Sequence, residues 1–256
     1  MLRPRIIPAL LVRNRGLVKT IRFKEPKYVG DPINAVKIFN EKAVDELMVL
    51  DIDATLENRE PDFQMIKNLA AECRMPFCYG GGIKTAEHAR RIIRLGAEKV
   101  ALSSAVVKRP DIVIEIATAV GLQSVVVVLD VKKKGIFGKY EVVLENGQKY
   151  TGINPIEFAK KVESLGVGEI IINSVDKDGT MQGYDLKLAK AIRAAVSCPI
   201  SILGGAASLA DIGELVKELG VVGAAAGSLF VFKGKYRAVL INYPTIAERK
   251  PLNINV

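Results

Sequence analysis

Short apolar runs alternate with amphipathic stretches along the chain, and the alternation recurs eight times. Residues 5–12 open it as a nearly continuous apolar run, the pattern of a strand covered on both faces, as in a parallel sheet. Runs of the same kind follow at 46–52, 76–79, 99–103, 124–130, 169–173, 200–203 and 222–226. Helices are predicted between them at 32–44, 61–73, 85–95, 110–121, 155–165, 185–197 and 208–219. Asn154-Pro155-Ile156-Glu157 is a clear helix start, with Asn as cap, Pro in first position and Glu in third. Leu95-Gly96 and Leu165-Gly166 are helix-stop pairs. Three segments break the rhythm. Residues 13–30 read as a long loop rich in Arg, Lys and Gly, the size of a lid or binding loop. Residues 132–151 read as an insertion with a hairpin turn at Glu145-Asn146-Gly147-Gln148. A short closing helix is predicted at 236–240. Eight strand–helix units predict an α/β protein, a (β/α)8 TIM barrel forming a single domain over 1–256, with a doubly wound open sheet as the competitor.

One stretch occurs twice. Cys78-Tyr79-Gly80-Gly81-Gly82-Ile83 through Ser103-Ser104 reappears, at an offset of 124 residues, as Ile202-Leu203-Gly204-Gly205-Ala206-Ala207 through Gly227-Ser228. Each copy reads as strand, Gly-rich turn, helix, strand and small-residue turn, so the barrel is expected to consist of two half-barrel repeats. A Gly-rich turn ahead of a helix leaves backbone N–H groups free to meet an anion. Two such turns suggest the two ends of a bisphosphorylated ligand, with Gly81, Gly82, Ser103, Ser104, Gly204, Gly205, Gly227 and Ser228 as phosphate-binding candidates. The plainer reading is that the glycines only permit tight turns.

Composition narrows the classes. A hydrophobic fraction of 49% in 256 residues supports a sizeable core. No apolar run reaches the roughly 20 residues of a membrane helix, and Met1-Leu2-Arg3-Pro4-Arg5 does not begin a signal peptide, so no membrane association and a cytoplasmic location are expected. The net charge of +9 is spread out. Its longest basic run is Lys132-Lys133-Lys134, without interleaved aromatics, which argues against nucleic acid and for phosphorylated ligands or an acidic partner. Cys73, Cys78 and Cys198 are unpatterned, and no His/Cys cluster has metal-ligand spacing. His88 is the only histidine, and Gly80-Gly81-Gly82 lacks the dinucleotide spacing, so no metal and no cofactor are expected.

In a barrel, chemistry sits where the strands end. Asp51, Asp53, Asp130, Asp176 and Asp178 all fall there and suit general acid–base work, or else cap the loops that follow. The turn role fits Asp178 before Gly179 better than it fits Asp130, which ends a run of valines. The opposite ends carry Arg5, Glu46, Lys99 and Glu169, each just before an apolar run. Alternation places Arg5 on the same face as Leu11, and Lys99 on that of Ser103. Facing inward, the four would form a ring on the barrel floor, a salt-bridged plug or gate; facing outward, they are ordinary solvated charge.

These residues resemble a known family. Arg5-Ile6-Ile7-Pro8, Asp45-Glu46-Leu47 with Leu50-Asp51-Ile52, Gly80-Gly81-Gly82-Ile83, Asp176-Lys177-Asp178-Gly179-Thr180 with Gly183-Tyr184-Asp185, and Gly204-Gly205-Ala206 are similar to the cyclase subunit of imidazole glycerol phosphate synthase, over nearly the whole chain. The resemblance implies a lyase of histidine biosynthesis in heterodimer with a class I glutamine amidotransferase glutaminase. Ammonia from that partner would cross the floor to a bisphosphorylated aminoimidazole-carboxamide ribonucleotide. It implies Asp130 and Lys19 as catalytic residues, Asp178 and Gly179 beside the phosphate positions, and Arg5, Glu46, Lys99 and Glu169 as the ammonia gate. The sequence departs at Leu11, where the family carries its strand-one acid–base aspartate, and at Ala9 and Asp53. An isobutyl group moves no proton, and losing one positioned acid–base group removes about 10²–10⁴ in rate. Asp51 or Asp53 would have to substitute. Leu11 beside a retained gate, and the ending Phe232-Lys233-Gly234-Lys235-Tyr236, resemble a divergent branch found with sugar amidotransferases of surface-polysaccharide assembly. That branch implies ammonia supply for amidino-sugar formation, with a sugar amidotransferase as a further partner. A genuine cyclase and a sister isomerase acting on a related bisphosphate are the alternatives.

Overall fold

The computed structural model describes residues 3–135 and 138–253. Its centre is a ring of parallel strands: β1 (Arg5–Arg13), β2 (Leu47–Asp51), β3 (Phe77–Gly80), β4 (Lys99–Leu102), β5 (Val125–Lys134), β6 (Glu169–Ser174), β7 (Ile200–Leu203) and β8 (Gly223–Ala226). β1 pairs with β2 on one side (Ala9 opposite Met48) and with β8 on the other (Arg5 opposite Gly223). β5 likewise pairs with β4 and with β6 (Asp130 opposite Asn173). No barrel strand is left as an edge among the described residues, so the sheet is a closed (β/α)8 barrel and the open doubly wound alternative is excluded.

The apolar runs explain the closure. Their side chains are buried on both faces, Val125 to Leu129 being almost inaccessible. One set meets the surrounding helices. The other fills the interior, where Ile7, Met48, Cys78, Val126, Ile171 and Ala225 form a separate apolar cluster. The helices are α1 (Pro32–Glu41), α2 (Phe63–Glu72), α3 (Ala86–Arg94), α4 (Ile112–Val120), α5 (Pro155–Ser164), α6 (Leu186–Arg193) and α7 (Leu209–Leu219). Their starts are held as the sequence indicates. Asn154 Oδ1 accepts from Ile156 N at 2.8 Å, and Ser208 with Asp211 forms a capping box. One-turn helices at Ser104–Lys108 and Ser228–Val231 follow β4 and β8 at matching places in the two halves.

Two expectations are corrected. Residues 13–30 are not a loop: after β1 the chain folds into an antiparallel hairpin, Gly16–Ile21 with Lys24–Gly30. Leu17, Val18 and Val29 are buried, and the turns at Asn14-Arg15 and Arg22-Phe23 place two residues each at positive φ, the geometry that matches strand twist. The predicted helix at 236–240 is instead part of a separate antiparallel pair, Phe232–Lys233 with Ala238–Val239. Gly234 and Arg237 at positive φ break any helix there, and a short helix appears later, at Ile246–Arg249. The insertion behaves as read: β5 runs on to Lys134, pairs with Lys139–Leu144, and turns at Glu145-Asn146-Gly147, although its residues 136 and 137 lie outside the described ones.

The C-terminal segment is tied beneath the barrel. Tyr243 Oη donates to Ile6 O at 2.9 Å, and Arg249 Nη1 donates to Asp45 Oδ1 at 2.8 Å, both in buried surroundings. Tyr243→Phe leaves the Ile6 carbonyl without that partner. It is expected to lower unfolding free energy in urea by about 1–3 kcal/mol while far-ultraviolet circular dichroism stays unchanged.

Candidate active site at the barrel mouth

The strands end around a cavity of about 390 Å³, lined by Leu11, Asp51, Gly81, Gly82, Ser103, Ser104, Asp130 and Asn173. A narrower one of about 30 Å³ adjoins it, lined by Lys19, Asp178, Gly179, Gly204, Gly205, Gly227 and Ser228, and sharing Leu11 and Asn173. The two Gly-rich turns thus open onto neighbouring spaces, with Asn173 between them. Their glycines are obligatory. Gly81 and Gly205 occupy matching places in the repeat at φ +119° and +104°. A Cβ on Gly81 would lie 2.5 Å from Asp51 O, and one on Gly205 would collide with Gly183 O.

Asp130 ends the apolar interior of β5. Its carboxylate accepts from Asn173 Nδ2 at 2.9 Å and Ser103 Oγ at 3.3 Å. Burial pushes its pKa up to about 6; the two hydrogen bonds oppose this, and the charge of Asp178 adds to it. Lys19 stands on the hairpin that was read as a loop. Its Nζ donates to Ala9 O at 2.6 Å, in space that exists because residue 227 is glycine. Burial brings its pKa down to about 8, against the attraction of Asp178. Asp178 accepts from Thr20 Oγ1 at 2.7 Å and Phe23 N at 3.1 Å, which fastens the hairpin to the loop after β6.

The other carboxylates are engaged in holding loops. Asp51 accepts from Asp53 N and Ala54 N at 3.1 and 3.0 Å and pairs with Arg59 at 3.2 Å, while still lining the larger cavity. Asp53 is clamped by Arg13 through bonds of 2.5 and 2.7 Å and lines neither cavity. Asp176 receives Lys133 N at 2.8 Å. Asn173 fell among the strand ends in the sequence but was given no role there. Its signal was parity: Glu169, Ile171 and Asn173 alternate along one face of β6, and a polar residue there must face the cavity.

At the opposite end the four charges do face inward and close on one another. Arg5 pairs with Glu46 and, at 2.7 Å, with Glu169; Lys99 pairs with both at 2.8 and 3.0 Å. Ser201 Oγ also donates to Glu169, a contact the sequence did not suggest. Burial disfavours the charge on Glu169, but the Arg5 hydrogen bond with the Arg5 and Lys99 charges outweighs it and holds the carboxyl below its usual range. Burial also opposes the charge on Lys99, and the two glutamates reverse that effect. Among the described residues no group of His, Cys, Asp and Glu is placed to hold a metal, and no helix is long and apolar enough to cross a membrane.

A family model described as "Histidine biosynthesis protein" matches residues 5–237. A protein of Vibrio vulnificus, provisionally named imidazole glycerol phosphate synthase subunit hisF3, is 56% identical over 250 residues, covering 98% of this chain and 96% of that protein. A provisionally named imidazole glycerol phosphate synthase subunit HisF of Leptospira interrogans is 52% identical over 98% of this chain and 99% of its own. The imidazole glycerol phosphate synthase subunit HisF of Lactococcus lactis is 41% identical over 99% and 98%.

Two measurements check the electrostatics. The pKa of Asp130 is raised above the ordinary 3.8, so the folded state binds more protons than the unfolded one between about pH 4 and pH 6. Its contribution therefore favours folding below pH 4, erodes through that window by up to about 3 kcal/mol, and is constant above it. Asp130→Asn should remove this pH dependence, so thermal unfolding from pH 4 to 7 should show the variant gaining on the parent as pH rises. Glu169→Ala leaves Arg5 and Lys99 only Glu46 as a partner and should cost about 3–5 kcal/mol in urea unfolding.

Proposed function

The chain belongs to the histidine biosynthesis protein family, in its HisF-type imidazole glycerol phosphate synthase branch. Within it we propose a barrel that binds a phosphorylated ligand, takes ammonia from a glutaminase partner through its charged floor, and no longer closes an imidazole ring. The observation that carries this reading is Leu11, which faces the same cavity as Asp130. Ring closure of the family type needs two proton carriers, and the cavity offers a hydrocarbon where the second would stand. Asp53 is no substitute, because Arg13 holds it away from the cavity, and Asp51 is spent on its own loop and Arg59.

What remains suits transfer of a small neutral amine. Ammonia crosses apolar space far more easily than ammonium does. Between the ion ring at the floor and Asp130 at the mouth lie Ile7, Met48, Val126, Val128 and Ile171, which offer no hydrogen-bonding side chain. A ring of two bases and two acids excludes ions and can part by exchanging pairs. The glutaminase docks against the floor side, and the phosphates of the ligand rest in the turns at Gly81-Gly82 with Ser104 and at Gly204-Gly205 with Ser228. The ammonia serves the amidation of a sugar in surface-polysaccharide assembly, with a sugar amidotransferase as the acceptor. The second reading, a working cyclase of histidine biosynthesis, is favoured by Asp130 and Lys19, whose pKa values near 6 and 8 bracket neutrality.

Complementation separates the two. The chain is expected not to restore growth of a histidine auxotroph that lacks its cyclase subunit; full restoration would establish the second reading. Purified Leu11→Asp, supplied with the bisphosphorylated ribonucleotide and ammonium salt, should form imidazole glycerol phosphate about 10²-fold faster than the parent, the scale of one acid–base group.

A further inference from the structure

Ser201 places a hydroxyl where hydrocarbon would pack as well. It is fully buried on β7, on the face that turns into the barrel with Leu203, in the interior that Ile7, Ile171 and Ala225 fill. In register it stands between Ile171 of β6 and Gly223 of β8, and Gly223 in turn lies opposite Arg5 of β1. A Cβ on Gly223 would collide with Ser201 Oγ, so the hydroxyl occupies space that only glycine leaves. A buried hydroxyl needs a partner, and the one it meets is Glu169. Since Glu169 is held as a carboxylate, it only accepts, and Ser201 is the donor.

The floor ring is therefore not symmetrical. Glu169 accepts from three residues: from Arg5 Nη2 at 2.7 Å and Nη1 at 3.2 Å, from Lys99 Nζ at 3.0 Å, and from Ser201 Oγ. Among the described residues the Glu46 carboxylate accepts from Arg5 and Lys99 alone, through one bond each. The backbones differ in the same sense. Glu169 belongs to β6 and pairs with Val126, whereas Glu46 precedes the first residue of β2. Its neighbour Asp45 is fixed to Ile6 N at 3.1 Å and to Arg249 at 2.8 Å, so the freedom at this point is that of the Glu46 side chain. We propose that Ser201, in the space Gly223 leaves, is a positioning residue of the floor: it makes Glu169 the fixed member of the ring, so that the ring opens by release of Glu46. The inference rests on reading the floor as a passage, and it adds the side on which that passage opens. With Glu46 swung away, Arg5, Lys99 and Glu169 leave one surplus positive charge at the opening, which repels ammonium and leaves neutral ammonia free to pass.

The test uses the full chain with ¹³C-labelled glutamate side chains, the two carboxyl signals being assigned from Glu46→Gln and Glu169→Gln. In the parent, relaxation dispersion should show microsecond-to-millisecond exchange at the Glu46 carboxyl and none at Glu169. Ser201→Ala should raise the Glu169 titration midpoint by about one pH unit, a tenfold gain in proton affinity, because a donor to the charged form is lost. Exchange should then spread to Glu169. Gly223→Ala, which fills the space of the hydroxyl, should raise the same midpoint. Arg5, Lys99, Glu46 and the buried Cys78 thiol are the titratable groups around Glu169, and both variants keep all four. Exchange at Glu169 equal to or greater than that at Glu46 in the parent, or an unmoved Glu169 midpoint in a folded Ser201→Ala, would overturn the proposal. The parent comparison decides alone if neither variant folds. Opening at Glu46 in a chain whose glutaminase complex delivers no nitrogen to the barrel mouth would leave the role of Ser201 standing and remove the ammonia-passage reading.

Discussion

Closure of the sheet is the constraint on which everything else depends. Once β1 pairs with both β2 and β8, every barrel strand has one face turned inward for its whole length, and side-chain alternation decides which residues share the interior. On β1 this set is Arg5, Ile7, Ala9 and Leu11; on β6 it is Glu169, Ile171 and Asn173. The same parity therefore puts charge at the floor, hydrocarbon in the middle and polar chemistry at the mouth. A shift of one residue in any strand would exchange core for surface, so floor and mouth cannot be altered independently of the fold.

The two polar ends solve the cost of buried charge in opposite ways. At the floor, two bases and two acids neutralise one another within hydrogen-bonding distance, and the ring is stable while closed. At the mouth, Asp130 has hydrogen bonds but, among the described residues, no counter-charge, and burial raises its pKa. A protein retains such an expense where a guest or a reaction uses it. Lys19, a buried base on the hairpin, is occupied with a backbone carbonyl and has lost basicity to burial. The mouth therefore keeps a buried carboxyl without a counter-charge among the described residues, beside the hydrocarbon of Leu11.

Much of this was legible in the sequence because the strands are uninterrupted apolar runs and the helices carry explicit caps. Asn154 caps as its motif indicates, and the offset repeat reappears as matched positive φ at Gly81 and Gly205. The floor ring could be anticipated because charge stood at a fixed parity before four of the eight runs. The hairpin at 16–30 was hidden because its Arg22-Phe23 turn adopts positive φ without glycine or asparagine, residues that ordinarily announce such a turn. The Asp53–Arg13 clamp spans forty residues of sequence and is a product of tertiary packing alone. Asn173 stands at the end of β6, but what marks it is a buried side-chain oxygen without a hydrogen-bond partner among the described residues, a product of tertiary packing.

The account stands or falls on the fate of the nitrogen. The direct measurement supplies amide-¹⁵N glutamine to the chain in complex with its glutaminase, with the bisphosphorylated ribonucleotide present, and follows the label by nuclear magnetic resonance. Release of the label as ammonia with none entering an imidazole ring is the predicted result; ¹⁵N in the ring at the pace of glutamine hydrolysis would contradict it.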